Sequence, residues 1–244
     1  MVNQFKTGIP GLDAMLYGGI PEKNQVLVSG GPGAGKTLLG FEYAYRNAKA
    51  GRKSVMFALE EDPKAVIANA KTAFPELTDI DQLIESKQLV IDSEASTGLY
   101  ASDSESSEYS FGRLIAEIES IITQTGAKAM VLDSISLLDV LMSDKISYRR
   151  SMMAMTRNLK RLGVTSLLIA EMGNPDRAKL RFKPEFFIFD GIIIMYQTGD
   201  EAKRMPAIEV IKMRGAKHSF VTTPYDISPA GFRILAAEDV SAYG

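Results

Sequence analysis

The stretch "LVSGGPGAGKTLLG", Leu27 to Gly40, decides the fold. Its centre, Gly30 to Thr37, reads G-G-P-G-A-G-K-T and fits G-x-x-x-x-G-K-[ST], the pattern of a phosphate-binding loop. The flanks fit as well. "NQVLVSG" (24–30) reads as a buried strand, and "TLLGFEYAYRNAKAG" (37–51) as a helix that stops at Gly51. Glycines let backbone N–H groups curl around phosphate oxygens with no Cβ in the way. The helix N-terminus adds partial positive charge. Gly31, Pro32, Gly33, Ala34, Gly35, Lys36, Thr37 and Leu38 are therefore expected to hold a nucleotide. Lys36 would reach the β- and γ-phosphates, and Thr37 would offer its hydroxyl to Mg²⁺.

Further strands and helices alternate on either side of later turn signals. "SVMFALE" (54–60), "QLVID" (88–92), "AKAMVLDS" (127–134) and "VTSLLIAE" (164–171) read as strands. Residues 63–74, 111–126 and 144–162 read as helices, the second with Phe111, Leu114, Ile115, Ile118, Ile121 and Ile122 on one face. Strands that are apolar throughout and alternate with helices predict a parallel sheet covered on both faces. After residue 186, "FFIFDGIIIMYQ", "MPAIEVIKMRG" and "GFRIL" are strand-like and separated by turns, which predicts an antiparallel extension. The expected organisation is one α/β domain over 1–244, with a lead-in at 1–23. The Ser- and acid-rich segment 92–110 is expected to be a flexible loop, or a regulatory and partner-binding one.

Two acidic positions belong with the phosphate loop. Met130, Val131 and Leu132 lead into Asp133, the Walker B arrangement of an apolar strand ending in a Mg²⁺-binding carboxylate. The strand at 55–59 runs into Glu60 and Glu61, which can orient or deprotonate an attacking water and can raise each other's pKa.

Composition narrows the function. The chain has 244 residues, 45% hydrophobic and 24% charged, with a net charge of −2. It has no cysteine and one histidine, which excludes thiol catalysis, disulfides and histidine-rich metal sites. No apolar run approaches the roughly 20 residues of a membrane span. A cytoplasmic protein is expected.

Taken together, "TGIPGLDAMLYGGIPEKNQVLVSGGPGAGKT", "FALEEDP", "VLDSIS" and "IKMRGAKHS" resemble the KaiC branch of the RecA-like P-loop ATPases over residues 5–235. The resemblance implies a RecA-like fold, ATP and Mg²⁺ as ligands, and a hexameric ring with ATP between neighbours. It implies that Glu60 and Glu61 are catalytic, with Lys36. It also implies that Lys212, Met213, Arg214, His218 and Asp226 approach the nucleotide of an adjacent subunit. Strand alternation adds a reading of its own. It places Ile208, Val210, Lys212 and Arg214 on one face, apolar at one end and cationic at the other. Such an end could serve as an arginine finger. Ser134, Ser136 and Glu171 are weaker candidates beside the Walker B strand. The sequence departs from the clock protein in having no Ser or Thr between Asn174 and Tyr196, so autophosphorylation there is not expected.

Three functions follow. The first is a slow ATP-hydrolysing ring whose nucleotide state switches assembly or partner signalling. The second is a RecA-type DNA-binding ATPase, suggested by Arg177, Lys179, Arg181 and Lys183 interleaved with Phe182, Phe186 and Phe187. The third is a protein kinase or autokinase.

Overall fold

The computed structural model describes residues 3–93, 107–142, 144–173, 175, 177, 180, 182–199 and 204–235. Its centre is the strand that feeds the phosphate loop, β3 (Gln25–Gly30). A short ribbon of β1 (Gln4–Phe5) and β2 (Ile20–Pro21), with helix α1 (Pro10–Met15) between them, leads into it. Then follow α2 (Lys36–Lys49), β4 (Ser54–Ala58), α3 (Pro63–Ala73), α4 (Ile80–Glu85), β5 (Leu89–Asp92), α5 (Ser107–Thr125), β6 (Ala129–Asp133), α6 (Ser136–Leu141), α7 (Lys145–Leu162) and β7 (Thr165–Glu171). A 3₁₀ turn at Pro184–Ile188 precedes β8 (Gly191–Gly199), β9 (Arg204–Met213), β10 (Thr223–Ser228) and β11 (Gly231–Ile234).

One nine-stranded sheet results, in the order β11-β10-β9-β8-β3-β7-β6-β4-β5. From β5 to β8 every neighbour is parallel; β9, β10 and β11 add on antiparallel. The expected α/β architecture with a C-terminal antiparallel part is what the chain adopts. The central strands are apolar because both their faces are covered. One face packs Val26, Val28, Met56 and Val131 against α1, α2 and α3. The other packs Leu27, Val55, Phe57 and Leu132 against α5 and α7. Each such side chain contributes about 1.5–3 kcal/mol when fully buried.

Several boundaries differ from the sequence reading. Residues 94–106 of the Ser-rich segment lie outside the described residues, and 107–110, expected to be loop, belong to the helix Ser107–Thr125. Asp92 already belongs to β5. Residues 186–188 form a 3₁₀ turn with Pro184 at its start rather than a strand, because proline cannot donate to a ladder. β10, which is not among the strands expected, carries Pro224 and pairs with β9 and β11.

A β-bulge overturns the alternation read along β9. The ladder with β8 skips a residue between Ile192 and Ile193, whose partners are Lys212 and Val210. The extra residue, Ile211, reverses the face of everything after it. Ile208, Val210 and Met213 accordingly join one core face while Ile211 packs against the other. Lys212 and Arg214 thus stay together but turn away from Ile208 and Val210, toward the 184–190 segment.

The β10–β11 hairpin is fastened to α2 through a buried carboxylate. Glu42 accepts from the Phe232 N–H at 2.7 Å and pairs with Arg46, whose Nη2 also donates to the Ala230 carbonyl. Gly231 sits between them at φ +123°, and a Cβ there would fall 2.2 Å from Glu42 Oε1. Gly231→Ala is expected to destabilise the protein by about 2–4 kcal/mol, since it strains the backbone and displaces a buried hydrogen-bonded carboxylate. Chemical denaturation checks this, and a change under about 0.5 kcal/mol would contradict the account.

Candidate nucleotide site

β3 ends at Gly30, and the chain turns through Gly33 (φ 74°) and Gly35 (φ 81°) before α2 begins at Lys36. Those two left-handed residues have to be glycine for the loop to curl. Gly35 is also the N-cap of α2, and Leu39 N–H donates to its carbonyl at 2.9 Å. The first N–H groups of α2 therefore face the loop.

The loop opens onto a cavity of about 320 Å³ lined by Lys36, Thr37, Glu60, Glu61, Asp133 and Glu171, among others. Four strand ends converge here. β4 delivers the glutamates, β6 delivers Asp133, β7 delivers Glu171 and β3 delivers the loop. This is the carboxyl edge of a parallel sheet, where such folds bind ligands. Lys36 is 9% exposed, and its Nζ donates to the Gly31 carbonyl at 3.0 Å. Burial lowers its pKa, opposed by the charges of Glu171, Asp133 and Glu60.

The acidic side is organised by two serines. Ser134 Oγ donates to Glu60 Oε1 at 2.5 Å and accepts from Ser136 N–H. Ser136 Oγ accepts from Glu171 N–H at 2.7 Å. Burial pushes the Asp133 carboxyl up from 3.8 to about 6; the Thr37 hydroxyl bond pulls it back, and Glu60 and Glu61 add to the rise. A hydroxyl and a carboxylate oxygen side by side form a hard donor pair that fits Mg²⁺. Among the described residues no three His, Asp or Glu side chains could hold a metal by themselves. Thr37 and Asp133 would thus share the ion with phosphate oxygens.

The structure also bears on the cations expected from the end of β9. Met213 pairs with Gly191, and Gly191 with Val26, so Arg214 lies level with the beginning of β3. The phosphate loop starts at the other end of that strand, five residues and roughly 15 Å away at about 3.3 Å per residue. Lys212 Nζ donates to the Phe189 carbonyl at 2.6 Å, and Arg214 Nη2 to the Phe187 carbonyl at 3.2 Å. Burial, then the charge of Arg214, lowers the Lys212 pKa. The His218 ring lies against Phe220, centroids 4.7 Å apart and planes tilted by 52°. Asp226 is elsewhere. It lies on the hairpin beside this chain's own phosphate loop, paired with Arg233 at 3.2 Å. Two cations of the 177–187 stretch are already engaged, Arg177 by Glu209 and Lys183 by Asp139. Lys179 and Arg181 lie outside the described residues.

The family described as "ATPase: KaiC" matches residues 5–239. The chain belongs to the KaiC ATPase family. A UPF0273 protein of Aeropyrum pernix is 33% identical over 235 residues, which cover 95% of this chain and 93% of that one. The circadian clock protein KaiC3 of Synechocystis is 28% identical over 226 residues, 93% of this chain but 44% of that longer protein. A crystal structure of the KaiC-like protein PH0186 from Pyrococcus horikoshii OT3 has the same fold, with a TM-score of 0.81 over 97% of this chain and 100% of that one at 24% identity. Membership of the KaiC family supports a nucleotide-binding ATPase domain.

Sequence reasoning missed the residues that hold these parts in place. Tyr225 O–H donates to the Ala34 carbonyl, and Gln197 Nε2 to the Pro32 carbonyl at 3.3 Å, so the antiparallel strands brace the loop from behind. Asp190 is 4% exposed and gathers three cations. It pairs with Lys160 at 2.7 Å, stands 3.7 Å from Arg214, and attracts Lys212. Its other oxygen accepts from Gln25 N–H, which ties this cationic cluster to the start of β3. An Asp just before a run of isoleucines was a usable signal for such an anchor.

The raised Asp133 carboxyl has a pH consequence. Its folded pKa lies above its ordinary value, so the metal-free protein is favoured at low pH and loses that stability as pH climbs through about 6. Asp133→Asn is expected to stabilise the metal-free protein at pH 8, by at most about 3 kcal/mol, with the gain shrinking at pH 5. Denaturation of both proteins at the two pH values checks this; an equal gain at both would contradict it.

Proposed function

We propose that this chain is a Mg²⁺-dependent ATPase that hydrolyses ATP slowly in a ring, and that its nucleotide state switches assembly or partner signalling. The observation that carries this reading is the separation of Lys212 and Arg214 from their own phosphate loop by the length of β3. Cations held there fit a neighbour's phosphates, not their own. The relatives support the same reading, since KaiC3 of Synechocystis is a circadian clock protein and the KaiC family is one of ATPases.

In this reading, Mg·ATP supplies the phosphoanhydride bond to be broken and the cation that neutralises it. The backbone N–H groups of 31–38 and Lys36 Nζ orient the phosphates. Thr37 and Asp133 hold the metal. Glu60, aimed by Ser134, and Glu61 orient water and take its proton. Lys212 and Arg214 of the adjacent protomer stabilise the charge that develops on the transferred phosphoryl group. His218 and Met213 would meet the nucleotide from that same side. Asp226, on the hairpin, would be a further nucleotide contact.

Light scattering with and without Mg·ATP, with phosphate release followed on the same samples, tests the proposal. A roughly sixfold mass accompanied by hydrolysis is expected. A monomer that hydrolyses at full rate would overturn it. The DNA-binding reading would gain from a strongly salt-dependent affinity for DNA, and the kinase reading from labelled phosphate entering protein.

A further inference from the structure

A second concave surface lies at the opposite end of the sheet from the phosphate loop. It is an open cleft of about 450 Å³, bounded by Gln4, Phe5 and Lys6 of the β1 ribbon, Glu22 and Lys23 of the turn into β3, Arg52, Lys128, Gly163 and Thr165. Its charge is lopsided. Lys6, Lys23, Arg52 and Lys128 face a single carboxylate, Glu22, in a chain whose net charge is −2. Among the described residues, Lys6, Lys23 and Lys128 take part in no ion pair, whereas Lys160, Lys183, Arg177 and Arg214 all do. A concave wall of one sign focuses the field and raises the local concentration of anions.

Part of the cleft is already positioned. Arg52 Nε donates to Asn47 Oδ1 at 2.7 Å, and its guanidinium lies 4.9 Å from the centroid of the Phe5 ring. Asn47 is wholly buried and is held in turn by the Thr7 and Tyr43 carbonyls. The Lys23 N–H donates to Thr165 Oγ1 at 2.9 Å, which fixes that residue in its left-handed conformation (φ 65°). Gly163 leaves the far wall low: a Cβ placed on it would meet only Lys23 Cε, at 4.0 Å.

We propose that this cleft binds a small, multiply charged phosphate anion, of the size of a nucleoside diphosphate or a short oligophosphate. The volume suits such a molecule. A guanidinium and three ammonium groups are the donors that phosphates require. A nucleic-acid strand would need a continuous basic groove with exposed stacking rings. Here the lone aromatic ring, Phe5, is buried beneath Arg52. Lys23 lies in the turn that enters β3 and Thr165 begins β7, the two strands that end at the phosphate loop and at Glu171. An anion in the cleft therefore sits at the far end of the same two strands that build the nucleotide site.

Calorimetric titration with tripolyphosphate, without Mg²⁺ and at 150 mM salt, tests the site. Lys36→Ala serves as the background that disables the phosphate loop. The Lys36→Ala protein is expected to retain one binding event, and Lys23→Glu with Lys128→Glu added is expected to weaken it at least tenfold. Should Lys36→Ala fold poorly, the charge reversals are placed in wild type instead, where they are expected to remove one of two tripolyphosphate binding events and leave the other. Loss of all binding in the loop-disabled protein, or unchanged binding in the charge-reversed one, overturns the proposal. So does a single-stranded oligonucleotide that binds the same lysines more tightly than tripolyphosphate.

Discussion

Equal mixing of Lys36→Ala and Arg214→Ala proteins is expected to restore ATP hydrolysis that neither shows alone. Each variant by itself should release phosphate at least about 100-fold more slowly than wild type, since an arginine finger is worth roughly 10³–10⁵ in turnover. The two losses have different causes. Lys36 is the buried cation of the loop, 9% exposed and turned onto the Gly31 carbonyl, and its removal weakens nucleotide binding. Arg214 lies at the other end of β3, so its removal should leave nucleotide binding in place. In a randomly mixed ring, an intact loop meets an intact finger at about one interface in four, so up to about a quarter of wild-type activity per chain should return. Full activity in the Arg214→Ala protein, or no recovery on mixing, would mean that the cations do not act across an interface.

Glu60→Gln is expected to lower phosphate release by roughly 10²–10⁴-fold while nucleotide binding stays within about threefold of wild type. Glu60 is the glutamate whose orientation is fixed, with Oε1 accepting from Ser134 at 2.5 Å in the same cavity as Lys36 and Asp133. A glutamine keeps the shape but cannot take a proton. Ser134→Ala should give a smaller loss, about tenfold, because Glu60 keeps its carboxylate and loses only its tether. Single-turnover measurements separate these effects from nucleotide release. If Glu60→Gln turned over normally and Glu61→Gln did not, the tethered carboxylate would be structural and its neighbour the base.

The parts that were legible in the sequence are those whose chemistry is local. Gly33, Gly35, Lys36 and Thr37 declare themselves because a phosphate loop needs left-handed turns followed by a cation and a hydroxyl. Asp133 declares itself because it ends an apolar strand, and Glu60 because it closely follows one. The parts that were not legible depend on pairs far apart in the chain. Tyr225 braces Ala34 across 191 positions and Glu42 fastens Phe232 across 190, and no periodicity within a window reports either. The direction of Lys212 and Arg214 was misread for a third reason. A single bulged residue, Ile211, reverses the strand's faces, and a period-two rule carries no sign of it.

In the proposed ring, the Arg214 end of β9 in one chain meets the phosphate loop of the next, head to tail. An open row of n protomers would then complete n − 1 catalytic centres, with one idle loop and one idle finger at its ends. Closing the row adds a centre without adding a chain. Turnover per chain would rise from (n − 1)/n of its full value to the whole at closure, so the last interface adds one working centre at no cost in chains.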